Sequence, residues 1–494
     1  MKDIYGILKQ YYGYSSFRKG QEKIISSLLD GRDVFAIMPT GSGKSLCYQI
    51  PALAFDGITL VVSPLISLMQ DQVRSLIAMG VRAAYLNSSL TPRQIQLATE
   101  NAAKGVYKII YVAPERLNTP NFLNFAVNSS ISLVAVDEAH CISQWGQDFR
   151  PAYLRINEFI SKLKKRPPVA AFTATATDRV KKDINKKLGL VHPLRYTGGF
   201  DRPNLYFSIE EPLNKLEYTR KYIAAHKDDS GIIYCSTRKE TERTADVLSS
   251  CGFSVRAYHA GMKDADRKTV QEDFIYGKIK VISATNAFGM GIDKPDVRYV
   301  IHMNMPARME DYYQQAGRAG RDGEQADCIL LYSPSDIILN RYMIEQIPEN
   351  DPLTPEQRKR YIDVESACLE HMIFYSTSKY TCLRKRILNY FGEKTSAYCG
   401  NCSICRKKSG LTAANKTQTM NYDEILYNRL KIQCKKIALL AGVPFYTIAN
   451  ETMLKEMAAK KPRSVEELRQ VSGFGEEKIR RHGKAFIEII KTSQ

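Results

Sequence analysis

The chain has 494 residues, with 71 Lys and Arg against 52 Asp and Glu, for a formal net charge of +19. That length suggests about three or four domains of ordinary size, and the charge favours a polyanionic partner, because Lys and Arg gain by displacing counterions from phosphates. No apolar run approaches the ~18 residues that cross a bilayer, and the opening residues 1–14 lack the continuous apolar core of a secretory signal. No membrane partner is expected, and a cytoplasmic location is.

In chain order, short apolar runs alternate with longer helical patterns. Strands are predicted at 34–38, 59–63, 108–112, 133–136 and 169–173. A second set follows at 231–235, 255–258, 280–284, 299–302 and 327–332. Strands separated by helices imply parallel α/β sheets, and two sets imply two such domains. Their join lies near 198–205, where Gly198-Gly199-Phe200-Asp201-Arg202-Pro203-Asn204 carries turn chemistry. Past about 344 the pattern turns helical and ends in a cysteine cluster. Residues 407–420 are polar and read as a flexible linker. From 422 onward, apolar positions recur at helical spacing. The expected domains are 1–198, 199–343, a helical metal-binding domain at 344–408, a linker at 409–421 and a helical module at 422–494.

Met38-Pro39-Thr40-Gly41-Ser42-Gly43-Lys44-Ser45 follows the first predicted strand and should open a helix. Glycines at 41 and 43 let backbone N–H groups turn toward phosphate oxygens. Lys44 would meet the β- and γ-phosphates of ATP, and Ser45 would ligate Mg²⁺. The strict pattern has Gly where Met38 stands. A buried strand then runs into Asp137 and Glu138, followed by Ala139 and His140. Asp137 can hold the Mg²⁺ through water, and Glu138 can polarise the attacking water. Paired acids at a strand end are costly unless a cation balances them.

Asp137-Glu138-Ala139-His140, the aromatic loop Cys141 to Pro151, and the entry stretch Gly13-Tyr14-Ser15-Ser16-Phe17-Arg18-Lys19-Gly20-Gln21 together resemble the RecQ family of superfamily 2 DNA helicases, from Tyr5 to Cys405. The resemblance implies two tandem RecA-like domains. It implies that Tyr14 stacks on adenine while Gln21 and Arg18 read its edge, and that Thr40, Gly41, Ser42 and Gly43 wrap the phosphates. His140 would couple nucleotide state to the aromatic loop, and Thr173-Ala174-Thr175 would link hydrolysis to domain movement. Gly291 and Asp293, in the stretch 284–294, would line the cleft. Gln314, Arg318 and Arg321 resemble the arginine-finger motif, although the family commonly has Glu where Gln315 stands. A guanidinium aimed at the γ-phosphate contributes roughly 10³–10⁵ in rate, and arginines three apart share a helix face. Because these arginines lie in the second domain and Lys44 in the first, turnover would open and close the pair.

Trp145 is the only tryptophan, spaced by four from Phe149 and followed by Arg150. Polar neighbours argue for an exposed loop whose rings stack on unpaired bases, at about 1–3 kcal/mol each. Ser63, Pro64 and Ser67, like Arg116, follow predicted strands and open helices, whose N-termini bind phosphates. With His259 they would hold the DNA backbone by resemblance, which positions a strand without reading sequence.

Cys382, Cys399, Cys402 and Cys405 offer four thiolates, while the remaining cysteines are scattered singly. This is a metal site in a reducing compartment, not a disulfide framework. Spacing alone leaves Zn²⁺ and an iron–sulfur cluster open; the resemblance implies Zn²⁺ in a closed structural site. The family commonly carries a winged-helix domain after this module, and residues 406–421 leave no room for one here. The segment 437–490 resembles an HRDC domain, and Ser472-Gly473-Phe474-Gly475-Glu476-Glu477-Lys478 resembles a helix–hairpin–helix turn whose backbone amides can meet phosphate. A protein-binding helical bundle is the other reading of this module.

The sequence thus points to a monomeric ATP-, Mg²⁺- and Zn²⁺-dependent 3′–5′ DNA helicase of recombination and repair, acting on single-stranded and tailed duplex DNA. Single-stranded-DNA-binding or recombination proteins are further candidate partners. The alternatives are a DNA-stimulated translocase with little unwinding and a non-catalytic nucleic-acid-binding scaffold. Intact Lys44, Asp137, Glu138, Arg318 and Arg321 argue against the scaffold.

Overall fold

A computed structural model describes residues 3–39, 41–143, 149–289, 294–346, 354–395, 398–409 and 422–493. The first sheet comprises β1 (Val34–Ile37), β2 (Ile58–Val62), β3 (Ala83–Leu86), β4 (Ile109–Val112), β5 (Ile131–Val136), β6 (Val169–Thr173) and β7 (Leu194–Thr197). The strands pair in the order β3-β4-β2-β5-β6-β1-β7, every pair parallel. β1, β2, β4 and β6 are buried along their whole length, as parallel strands covered by helices on both faces must be. The second sheet comprises β8 (Leu205–Glu210), β9 (Ser230–Tyr234), β10 (Val255–Tyr258), β11 (Val281–Ala284), β12 (Val297–His302) and β13 (Ala326–Leu331). Its order is β10-β11-β9-β12-β13-β8, again all parallel.

All ten predicted strands are present. β3, β7 and β8 were not predicted, and each lies at a sheet edge. In β7 one side faces water, so Arg195 and Thr197 are exposed while Leu194 and Tyr196 are half-buried; β8 instead bridges to Cys402 through Phe207. The segment read as a turn-rich join is more than a connector. Leu205 to Glu210 adds a strand beside β13, and Arg202 and Asn204 bond to the loop 317–324.

After β13 come helices Pro334–Glu345, Pro355–Ser376, Leu383–Tyr390 and Ser403–Ser409. Arg384, 5% exposed, ties this helical region to the second sheet. Its guanidinium donates to Asp201 Oδ1 at 2.7 Å and to the carbonyls of Arg202 and Leu205, each at 2.5 Å. The C-terminal module is built of helices Glu424–Ala441, Phe445–Ile448, Glu451–Lys460, Val465–Leu468 and Glu476–Lys491 around Leu430, Leu454, Phe474 and Phe486. The described residues up to Gly199 and those from Tyr422 onward make one compact unit; those from Phe200 to Ser409 make another. No described helix is long and apolar enough to cross a membrane.

Candidate functional site

The predicted nucleotide residues gather at the carboxyl ends of the first sheet, where open parallel sheets bind ligands. β6 lies between β1 and β5, with Ile37 of β1 level with Thr173 and Val136 of β5 level with Ala171. The loop after β1, the acid pair after β5 and the threonines after β6 therefore converge by topology alone. The loop after β1 requires glycine: Gly41 and Gly43 have φ of 79° and 83°, and a Cβ on Gly43 would lie 2.6 Å from Gln21 Nε2. Helix Lys44–Ala54 starts directly after it, so its unbonded first-turn N–H groups face the loop, a ready anion site.

Lys44 Nζ is buried and has no hydrogen-bond partner among the described residues. Its nearest anion is Glu138 Oε1 at 3.9 Å. A buried ammonium left in this way is costly, and a triphosphate chain would satisfy it. Glu138 sits in the left-handed region at φ 46°, a conformation that costs a non-glycine residue about 1–3 kcal/mol and is concentrated at functional sites. Asp137 is 7% exposed. Burial, and then the adjacent Glu138 carboxylate, push its pKa up to about 6, against the pull of Lys44. A dication would reverse that shift, so the donors fit Mg²⁺ as well as phosphate. Asp137, with Ser45 at the helix start, would hold the ion, which when bound neutralises phosphate charge.

A relay leads from the acid pair into β6. His140 Nδ1 lies 3.3 Å from Glu138 Oε2 and 2.9 Å from Thr173 Oγ1, and Thr173 Oγ1 donates to the Thr175 carbonyl at 2.9 Å. The three residues given coupling roles thus connect in series, His140 and Thr173 through their side chains and Thr175 through its backbone carbonyl. Arg150 Nη1 donates to the Pro64 carbonyl at 2.7 Å, which joins two predicted DNA-contacting segments. Ser63 is fully buried, whereas Ser67, Arg116, Phe149 and Arg150 are partly exposed.

Near the predicted adenine residues, Arg18 Nη1 donates to the Gly41 carbonyl at 2.7 Å. Gln21 is buried, with Nε2 on the Ser42 and Gly43 carbonyls at 3.3 and 3.2 Å and Oε1 accepting from the Arg18 N–H. Both side chains brace the phosphate loop. Tyr14 is 37% exposed. A polar network that the sequence did not reveal lies beneath: Tyr12 donates to Gln49, whose amide meets Tyr111 and Gln72, and Tyr48 bonds to both Tyr111 and Ser45.

In the second unit, Gln314 and Arg318 are buried. Arg318 hydrogen-bonds to Tyr234, whose hydroxyl donates to the Phe288 carbonyl. Arg202 holds the backbone around it through the Gly317, Ala319 and Gly320 carbonyls. Gln315 accepts from His302 Nε2 at 2.9 Å, and burial lowers the His302 pKa to about 4. His259 is 6% exposed and paired with Glu242 at 2.9 Å. Thr40, Trp145, Gly291 and Asp293 lie outside the described residues.

The four grouped cysteines come together with all their sulfurs within 4.8 Å of one another. Cys399–Cys405 and Cys382–Cys402 separations are 3.9 and 4.0 Å, close to the edge of a tetrahedron with Zn–S of about 2.3 Å. The N–H groups of Lys385, Asn401 and Cys405 point at Cys382, Cys399 and Cys402, orienting the sulfurs as outer-shell donors do. Four cysteines leave no open position, as in a structural zinc site.

One correction concerns the tail. Three amides of the turn 472–475 are engaged within the fold: Ser472 N–H donates to Glu456, Gly473 N–H to the Gly13 carbonyl and Phe474 N–H to the Val471 carbonyl. In this conformation those three amides do not face a phosphate.

Four family models match the chain: DEAD/DEAH box helicase at 18–184, helicase conserved C-terminal domain at 214–323, RecQ zinc-binding at 334–406 and HRDC domain at 423–490. The ATP-dependent DNA helicase RecQ of Bacillus subtilis is 34% identical over an alignment that covers 98% of both chains. That of Haemophilus influenzae is 44% identical over 84% of this chain. The chain spans 66% of the length of the Haemophilus protein and 65% of its Pasteurella multocida counterpart. Among solved structures, Mycobacterium smegmatis Lhr bound to single-stranded DNA and AMP-PNP aligns at 19% identity with a TM-score of 0.55, covering 74% of this chain and 57% of that one. That likeness concerns the fold. With the zinc-binding and HRDC matches in place and the Bacillus relative aligned along nearly its whole length, the chain belongs to the RecQ family of ATP-dependent DNA helicases.

Proposed function

We propose that the protein couples Mg-ATP hydrolysis to 3′–5′ movement on single-stranded DNA and to unwinding of duplex DNA, in recombination and repair. The observation that carries this is the buried Lys44 beside a strained Glu138, with His140, Thr173 and Thr175 in series behind it. A non-catalytic scaffold would have no reason to keep a buried cation without a hydrogen bond. Lys44 draws charge from the β- and γ-phosphates, Glu138 orients the attacking water, and the His140–Thr173 contact passes the change at Glu138 into the segment beyond β6. Arg318 and Arg321 supply guanidinium charge to the transferring phosphoryl group. Phe149 and Arg150, with Trp145, engage the unpaired strand. The protein works as a monomer in the cytoplasm.

A second reading, translocation with little unwinding, is favoured by one observation. Only residues 406–421 separate the zinc module from the C-terminal helices. The alignment with the Bacillus relative runs over 587 positions against 494 residues here, so the relative carries residues that this chain lacks. Strand separation of duplexes with a 3′ or a 5′ single-stranded tail, with Mg²⁺ and ATP, decides between them. Opening of the 3′-tailed duplex alone supports unwinding with that polarity. ATP consumption with the duplex closed establishes the translocase.

A further inference from the structure

The C-terminal module meets the first sheet domain at a place set by glycines. Gly13 ends the short helical segment Leu8–Tyr12 with φ of 71° and immediately precedes Tyr14. Gly473 N–H donates to the Gly13 carbonyl at 2.9 Å. A Cβ on Gly13 would lie 2.6 Å from the backbone nitrogens of Phe474 and Gly475. A Cβ on Gly475 would lie 3.0 and 3.1 Å from the carbonyl oxygens of Gln10 and Tyr11, and one on Gly473 would lie 3.3 Å from the Tyr14 ring. The two backbones therefore touch without side chains between them, and Tyr14 rests against the turn of the other module. Behind Gly13, Tyr12 donates to Gln49 in the network that reaches Tyr48 and Ser45.

We infer that Gly473 and Gly475 of the C-terminal module are positioning residues for ATP binding: their turn fixes the Gly13–Tyr14 loop in the pose that receives the adenine base. This rests on the reading of Tyr14 as the adenine-stacking residue. A base stacks well only on a ring already held in place, because a free loop loses conformational entropy on binding. Tyr14 is more than a third exposed and has no packed helix of its own to hold it; the Gly13–Gly473 bond supplies that constraint. The module thus contributes to affinity for the base and leaves the phosphate chemistry at Lys44 untouched.

The test uses the full chain with Gly475→Val. Gly475 has φ of −70° and ψ of 168°, which valine adopts without strain, and the nearest atoms its Cβ would meet belong to residues 10–13. The expected result is a KM for ATP raised about tenfold, equivalent to about 1.4 kcal/mol, with kcat within about twofold. Inhibition by inorganic tripolyphosphate, which has no base, should be unchanged. Amide hydrogen exchange should speed up at Gly473, while the rest of the module keeps its protection and shows that it is folded. Gly475→Ala should give a smaller shift in the same direction and serves if the valine variant fails to fold. Tyr14→Ala is run beside them. If Tyr14→Ala raises KM and Gly475→Val does not, the inference is overturned while the reading of Tyr14 stands. If neither moves KM, that reading falls and the inference with it. A loss in kcat with KM unchanged also overturns the inference.

Discussion

The two ends of the first sheet hold buried aspartates under opposite conditions. At the amino ends of the strands, Asp33 receives both arms of Arg166, at 3.0 and 2.6 Å, and the N–H groups of Val169 and Val191. Its charge is answered within the fold. At the carboxyl ends, Asp137 is crowded by Glu138, and Lys44 nearby has no hydrogen bond among the described residues. The first arrangement stabilises the domain. On the proposed function, the second is tolerated because a ligand with phosphate and a dication would complete it, and that would be the physical difference between a structural and a functional buried charge.

Variants at the two ends should separate stability from turnover, and the zinc module supplies the extreme structural case. Cys402→Ser, or removal of the metal by a chelator, should unfold that module, since structural zinc sites contribute folding free energy directly; a thermal melt would lose the corresponding transition while ATP still binds. Arg166→Ala should destabilise the first domain by about 2–3 kcal/mol, less than the ~3–5 expected for a fully buried pair, because Arg166 is partly exposed. Denaturant titration reads this, and an unchanged midpoint would erase the contrast between the two ends. Lys44→Ala should lower ATP hydrolysis by about a hundredfold or more with the melting temperature unchanged or raised, because it removes a poorly satisfied buried charge.

His302 sharpens the same contrast through pH. Its folded pKa of about 4 lies below the ordinary value of 6.5, so the unfolded chain takes up the proton first as pH falls. The stability from neutral His302 is complete above about pH 6.5 and is lost between there and about pH 4, up to about 3 kcal/mol. Replacing His302 with Gln should flatten that part of the stability–pH curve. The smallest effect is expected from Trp145→Ala, with normal basal hydrolysis and stimulation by single-stranded DNA weakened by about 1–3 kcal/mol of binding. Unchanged stimulation would return Trp145 to a packing role.

Much of this site was legible in the sequence because its chemistry is local. The glycines, Lys44 and Ser45 form one run, as do Asp137, Glu138 and His140, and the strands that carry them lie inside the sheet and end in buried apolar residues. What escaped depends on partners far apart in the chain. Edge strand β7 mixes polar and apolar residues because water covers one side, and β8 is a strand only through its pairing with β13 and its bridge to Cys402. Arg384 reads as one more basic residue until the fold brings it to Asp201 and Leu205. The amides of Ser472 and Gly473 look available for phosphate until Glu456 and Gly13 are seen to accept from them.

The most direct test of the account is DNA-stimulated ATP hydrolysis by the intact chain and by Lys44→Ala, with nucleotide affinity measured in parallel. Mg²⁺-dependent turnover should rise with single-stranded DNA in the intact chain and collapse in the variant while the fold persists. Equal turnover in both proteins would contradict it, because the buried Lys44 would then have no part in the chemistry.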